Sequence, residues 1–258
     1  MGSASREALA QAQTAITGRL AQAAGSELLQ AASRIAESPA LAAALGDASA
    51  PAEAKTQLIE RLFGGFSAGA RSVLSAAVQG RWSTVDEFVD GVEELGLRAE
   101  SASNAGLSDE LLAIADVISG NHELQLSLAS KLADPAGKVA LISRLVDGKV
   151  SASAARVVTH LVASARGRKI DSALRRAART AADQNGSELA TVTVAAPLSA
   201  DQQSRLARAL EQSAGRPVTL KIVIDPSLVG GIRIQIADDI IDGSVRARLD
   251  DLRVKLAA

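Results

Sequence analysis

The sequence predicts a mostly α-helical chain: a duplicated helical bundle followed by a small α+β domain with the order β-α-β-β-β-α. Three observations predict it. Alanine is plentiful while aromatic residues are 2% of the 258, which suits closely packed helices because alanine is the strongest helix former. The helical region repeats itself. After residue 186 the hydrophobic period changes from helical to alternating.

The repeat sets the first two divisions, residues 1–106 and 107–186. In "LLQAASRIAESPAL", Leu28, Leu29, Ala32, Ile35 and Leu41 recur in "LLAIADVISGNHEL" as Leu111, Leu112, Ala115, Ile118 and Leu124. Without a gap, Lys55, Leu58, Ile59, Arg61, Leu62 and Gly65 recur as Lys138, Leu141, Ile142, Arg144, Leu145 and Gly148. After a small insertion, Arg71, Val73, Arg81 and Asp86 are matched with Arg156, Val158, Arg166 and Asp171. Leucine and alanine matches come cheaply in such a chain; the K-x-x-L-I-x-R-L-x-x-G pattern does not.

Each copy reads as helices. Leu58, Ile59, Leu62 and Phe63 share one helix side, as do Leu141, Ile142, Leu145 and Val146. Ser38-Pro39 and Asp134-Pro135 each offer an N-cap acceptor followed by proline at the first helical position. Gly65 and Gly148 fall where a helix should stop. "RAESASNAG", Arg98 to Gly106, has loop composition and is expected to separate the copies. "SREALAQAQTAI" supplies a leading helix. Trp82 and Phe88 are expected in the core.

The third division is 187–258. "LATVTVAAP" alternates and is β-branched, so it reads as a strand. In the helix that follows, Ser199 and Gln202 form a capping box and Gly215 closes it. "VTLKIVI" is a second strand. "GIRIQIA" puts Ile232, Ile234 and Ile236 on one face and Arg233 and Gln235 on the other. "DIIDG" makes a short return, and "SVRARLDDLRVKL" a final amphipathic helix.

"IDPSLVGGIRIQIADDIIDGS" pairs two glycines with four aspartates and so raises a phosphate loop or a metal site. A P-loop needs Lys-Ser/Thr at a helix start, and a dinucleotide fingerprint needs a strand-to-helix turn. Gly230-Gly231 instead lies between two strand patterns, where a glycine pair supplies the positive φ of a tight turn. Asp225 can cap that turn, Asp238 and Asp239 sit at the next reversal, and Asp242 precedes Gly243-Ser244. Local backbone roles for all four make a metal cluster the weaker reading. No catalytic, cofactor or metal residues are therefore assigned.

Other classes find little support. The formal net charge is -1, so no bulk charge draws the chain to nucleic acid or anionic lipid. Cysteine is absent, which removes disulfides and thiolate chemistry. No apolar run reaches membrane-spanning length, and "MGSASREALAQAQ" does not read as a secretory signal. His122 and His160 lack ligand spacing, and there is no Gly-x-Ser-x-Gly elbow. The densest basic run holds Arg166, Arg168, Lys169, Arg175, Arg176 and Arg179. It reads as a solvated helix face, with an acidic partner or nucleic acid as the alternative; without aromatic platforms, stacking on single strands is not expected.

"VTLKIVIDPSLVGGIRIQIADDIIDGSVRARLDDLRVKL" closely resembles the C-terminal signature of the delta subunit of F-type ATP synthase, the bacterial counterpart of the oligomycin-sensitivity-conferring protein. Asp225, Leu228, Gly230, Gly231, Asp242, Gly243, Ser244, Val245, Arg246 and Leu249 carry the likeness. Ala195, Pro197 and Leu198 extend it to the preceding strand and helix, and "NHELQLSLASKLADPAGKVALISRL" and "LVASARGRKID" to the helical region. Residues 1–106 look like the extra copy of the long actinobacterial form, some members of which are fused to a membrane-anchored b subunit. The resemblance implies a stator subunit rather than a catalyst. It implies a helical bundle that binds the N-terminal helices of the alpha subunits, and a C-terminal domain that holds the b-type peripheral stalk. It implies peripheral placement at the cytoplasmic face of the membrane, with no cofactor, no nucleic-acid partner and no direct membrane insertion.

Overall fold

The structure, a computed structural model, describes residues 1–16, 23–130, 133–236 and 239–245. The chain divides into two compact units, Met1–Ala181 and Ala182–Ala258. The first unit holds α1 (Ser3–Gln13), α2 (Ala24–Glu37), α3 (Pro39–Gly46), α4 (Ala52–Phe63), α5 (Ala68–Gln79), α6 (Val85–Ala102), α7 (Leu107–Gly120), α8 (His122–Ala129), α9 (Pro135–Val146), α10 (Ala152–Ala163) and most of α11 (Ile170–Gln184). The second holds β1 (Glu188–Val194), α12 (Ala200–Ala214), β2 (Val218–Ile224), β3 (Ile232–Ile236) and β4 (Asp239–Asp242). This is the mostly helical chain with a small α+β part that the sequence predicts. The expected last helix from Ser244 lies, but for its first two residues, outside the described ones.

The repeat is visible as matching helices. α2 to α6 and α7 to α11 run in the same order, and two of the helix starts are capped alike in both copies. Ser38 Oγ accepts from Leu41 N, and the Asn121 side chain from Leu124 N. Ser67 Oγ accepts from Ala70 N and Ser151 Oγ from Ala154 N. One long-range lock also occurs twice. The carboxylate of Glu27 in α2 accepts from both N and Oγ of Ser67, and that of Glu110 in α7 from both N and Oγ of Ser151. In each copy a carboxylate from the first repeat helix is thereby fixed at the start of the fourth, where the helix dipole favours negative charge.

The lock corrects the sequence matches at Arg71 and Val73. Ser67 and Ser151 are 84 positions apart, whereas Arg71 and Arg156, paired above, are 85 apart. Buried Val73, Leu74, Ala77 and Val78 correspond in the 84 spacing to buried Val157, Val158, Leu161 and Val162. The two arginines are thus one residue out of register. Their side chains go different ways, Arg71 to Glu60 and Arg156 to Glu100.

A second correction concerns the expected loop from Arg98. α6 continues through Ala102, and only residues 103–106 break the helix. The loop-like composition is overridden by burial. Glu100 is 1% exposed beneath a forked pair with Arg156, and Ser101 Oγ donates to the Ala181 carbonyl at 2.9 Å. Polar side chains with such partners lose the reason to prefer a turn.

In the second unit the strand order is β2-β1-β3-β4, with β1–β2 parallel and the other pairs antiparallel. Parallel neighbours need a crossover, and α12 supplies it. Its capping box at Ser199 and Gln202 is formed, and Gly215 ends it at φ 69°. Ala190, Val192, Val194 and Ile234 point to one face and close a core with Leu210 and Val218.

Candidate functional site

The family-signature residues meet at one end of the sheet. Asp225 accepts from N and Oγ of Ser227 at 2.9 and 2.6 Å, and its carbonyl accepts from Leu228 N. Gly230 and Gly231 take φ of 121° and 81°, values that side-chain-bearing residues rarely adopt. Gly231 has a second constraint: a Cβ there would lie 2.5 Å from the Gly243 carbonyl oxygen. The two segments are stitched by Gly243 N to Ile232 O and Val245 N to Gly230 O. Asp242 accepts from Ser244 N at 2.9 Å and from the Arg233 guanidinium at 3.0 and 3.2 Å. These hydrogen bonds, Ser244 first, bring its carboxyl down to about 2. Gly243 N and the Gly230 carbonyl are thus drawn into a backbone clasp between two loops, next to the buried Ser244. Asp238 lies outside the described residues, and among those described no group of three or more His, Asp or Glu is placed to hold a metal ion.

Within the first unit, the residues that sequence reading missed are acidic. Glu93, on α6, is 4% exposed. Its carboxylate accepts from Arg168 at 2.6 and 2.9 Å and from Arg166 at 2.8 Å, and His160 Nε2 lies 3.0 Å away. Burial pushes the carboxyl up, but these partners outweigh it and hold the group well below the usual carboxylate range. His160 Nδ1 lies 3.3 Å from Ser33 Oγ, which in turn meets Ser164 Oγ. His160 is therefore a link in a packed network, while His122 is exposed.

The basic run is largely spent on this network. Arg166 also reaches Asp90, Arg175 pairs with Asp116, and Arg176 lies 3.8 Å from Glu94. Four of the six cations thus have carboxylates of their own chain, which leaves little charge to offer nucleic acid. No signal in one short window shows this, because Glu93 and Arg168 are far apart in sequence.

Three large apolar side chains of the second copy face out, one on each of α7, α8 and α9. Val117, Leu126 and Leu141 are 53%, 58% and 42% exposed. At the matching positions of the first copy stand Arg34, Ala43 and Leu58. Arg34 lies over the Phe66 ring, Phe66 packs on Phe63, and Leu58 packs on the core. No helix among the described residues is long and apolar enough to cross a membrane.

What this fold offers is surfaces: a braced helical bundle and a clasped sheet, the make-up of a helical scaffold subunit. The ATP synthase delta (OSCP) subunit family model matches residues 95–256. ATP synthase subunit delta of Leifsonia xyli is 44% identical over all of both chains. That of Streptomyces coelicolor is 36% identical over 100% of this chain and 99% of its own. That of Nocardia farcinica is 38% identical over 99% and 97%. A chain of the mitochondrial ATP synthase hexamer of Toxoplasma gondii is similar at 21% identity and a TM-score of 0.42, over 63% of this chain and 97% of that one; so loose a likeness adds nothing to the assignment. The chain belongs to the ATP synthase delta (OSCP) subunit family, and through it to the stator parts of a machine of ATP synthesis and hydrogen ion transport.

Proposed function

We propose that the chain is a non-catalytic strut of the peripheral stalk, sitting at the cytoplasmic face of the membrane. It joins the N-terminal helices of the alpha subunits to the b-type stalk, so that the catalytic head does not turn with the rotor. The observation that carries this reading is the likeness to delta subunits over the whole chain, extra helical copy included. The three divisions 1–106, 107–186 and 187–258 serve it as an added bundle, a head-binding bundle and a stalk-binding domain.

The exposed Val117, Leu126 and Leu141 support the choice of the second copy as the head-binding one. An amphipathic helix laid there would cover them through contacts at i, i+3, i+4 and i+7. In the first copy Arg34, at the position of Val117, lies over the Phe66 ring, while Leu62 on α4 stays 44% exposed. In the second unit, Asp225, Leu228, Gly230, Gly231, Asp242, Gly243 and Ser244 act as structural residues that hold the sheet end in shape for the stalk.

A synthetic peptide from the alpha-subunit N-terminus, titrated into the full chain by calorimetry, is expected to form a saturable one-to-one complex. Removal of Pro197–Ala258 is expected to abolish binding to the b-type stalk while the peptide still binds. No heat with the peptide, or undiminished stalk binding by the truncated chain, would overturn the respective half.

A further inference from the structure

The first copy has a cavity of about 420 Å³ that the stator reading leaves without a role. Ser49, Ala52, Lys55, Gln79, Gly80 and Arg81 line it. Lys55 is 5% exposed, yet its ammonium makes a single hydrogen bond, to the Asp47 carbonyl at 3.1 Å. The Asp47 carboxylate is turned away, accepting from Ser49 N and Oγ at 2.8 and 2.7 Å. Among the described residues no carboxylate lies within ion-pair reach of Lys55 or of Arg81. Burial accordingly pushes the Lys55 ammonium down, and Asp47 offsets this only in part. A lysine so enclosed is normally paired, because an ammonium out of water without a counter-charge is costly.

In the second copy the corresponding helix start is capped by a side chain. There Asp134 starts α9, and its carboxylate accepts from Gly137 N at 3.2 Å, one residue before Lys138, the counterpart of Lys55. The first copy has Pro51 at the Asp134 position, and no side chain caps α4. So the copy that lacks the carboxylate is the one with a cavity, an enclosed ammonium, and a second cation on its wall. First-turn amides and nearby cations are the chemistry that binds oxyanions.

We propose that this cavity binds a small oxyanion, phosphate in particular, held by Lys55 and Arg81, which line it. Two cations and a helix start favour a doubly charged ligand over a single carboxylate. The site is separate from the proposed head-binding side and does not depend on it.

The test is an amide-resolved NMR titration of the full chain with inorganic phosphate, against sodium chloride at matched ionic strength. Saturable shifts are expected at Ala52, Glu53 and Lys55. Lys55→Met keeps the unbranched stem and removes the charge; it should weaken binding about tenfold, the worth of one charge-assisted hydrogen bond. Arg81→Gln, at an exposed position, should weaken it about threefold and answers the question even if Lys55→Met fails to fold. Equal shifts with chloride, or both variants titrating like the parent, would overturn the site. Acetate binding as tightly as phosphate would overturn the choice of a dianion.

Discussion

The two helical copies follow the same path and are filled differently. All four aromatic residues of the chain, Phe63, Phe66, Trp82 and Phe88, belong to the first copy. Trp82 meets Phe88 edge-on with ring centres 5.7 Å apart and donates to the Ala77 carbonyl at 2.8 Å. α6 comes close enough to the indole that a Cβ on Gly91 would clash with it. The second copy has no aromatic residue of the Phe, Trp or Tyr kind, with Leu111, Ile118, Ile142 and Val157 among its most buried side chains. It is braced instead by carboxylates of α6, with Glu93 taking Arg168 and Glu100 taking Arg156. The difference teaches how a duplicated bundle divides its work. Aromatic packing fills the first copy, though Leu62 and Val85 still face out at 44% and 37% exposed, whereas the second copy holds an aliphatic core with ionic braces and leaves Val117, Leu126 and Leu141 facing out.

The contrast breaks first at Phe88. Its side chain is fully buried against Trp82, so Phe88→Ala should cost about 3–5 kcal/mol in chemical unfolding, transfer and cavity together. A loss under about 1 kcal/mol would show that the aromatic cluster does not carry the first copy.

Glu93→Gln comes next. It leaves Arg166, Arg168 and His160 crowded without their negative partner, and breaking a buried pair costs about 3 kcal/mol or somewhat more. Amide exchange should show the loss concentrated in α10 and at the start of α11. Acid should do the same by titration. The folded Glu93 carboxyl is held below its unfolded value, so its contribution is present above the unfolded value. It falls away as pH drops from about 5 toward the lower folded value. The second copy is therefore expected to loosen before the first in a pH series followed by residue-resolved exchange. Simultaneous loosening would mean that the ionic braces carry less than their burial suggests.

How much of this was legible in sequence depended on range. The caps at Ser38, Asp134 and Ser199, the turn glycines 230 and 231, and the strand alternation in Ile232–Ile236 all act within a few residues, and they were readable. The duplication was readable because its signal is summed over many positions. The Glu93 network was not. Its members come from α6, α10 and the segment before α11, and the basic run alone gives no hint that its counter-charges are internal. The loop expected from Arg98 failed for a related reason, since Glu100 and Ser101 look turn-forming until Arg156 and the Ala181 carbonyl are brought to them. The outward-facing apolar residues of the second copy were hidden too. Leu58 and Leu141 are identical letters in matched positions, yet Leu58 packs on the core of its copy while Leu141 is 42% exposed.

The smallest effect on stability should be the most informative about function. Val117 is half exposed, and the first copy has Arg34 at the corresponding place. Val117→Arg therefore swaps a residue that the same repeat already tolerates, and should change stability by no more than about 0.5 kcal/mol. Its effect on the alpha-subunit peptide should be much larger, about tenfold weaker binding, because a guanidinium would have to be stripped of water where an apolar helix face comes down. The mirror change, Arg34→Val, uncovers Phe66 and should leave peptide affinity alone if the second copy does the binding. If Val117→Arg binds like the parent while Arg34→Val changes the affinity, the roles of the copies are reversed, and the aromatic-filled copy is the one that holds the head.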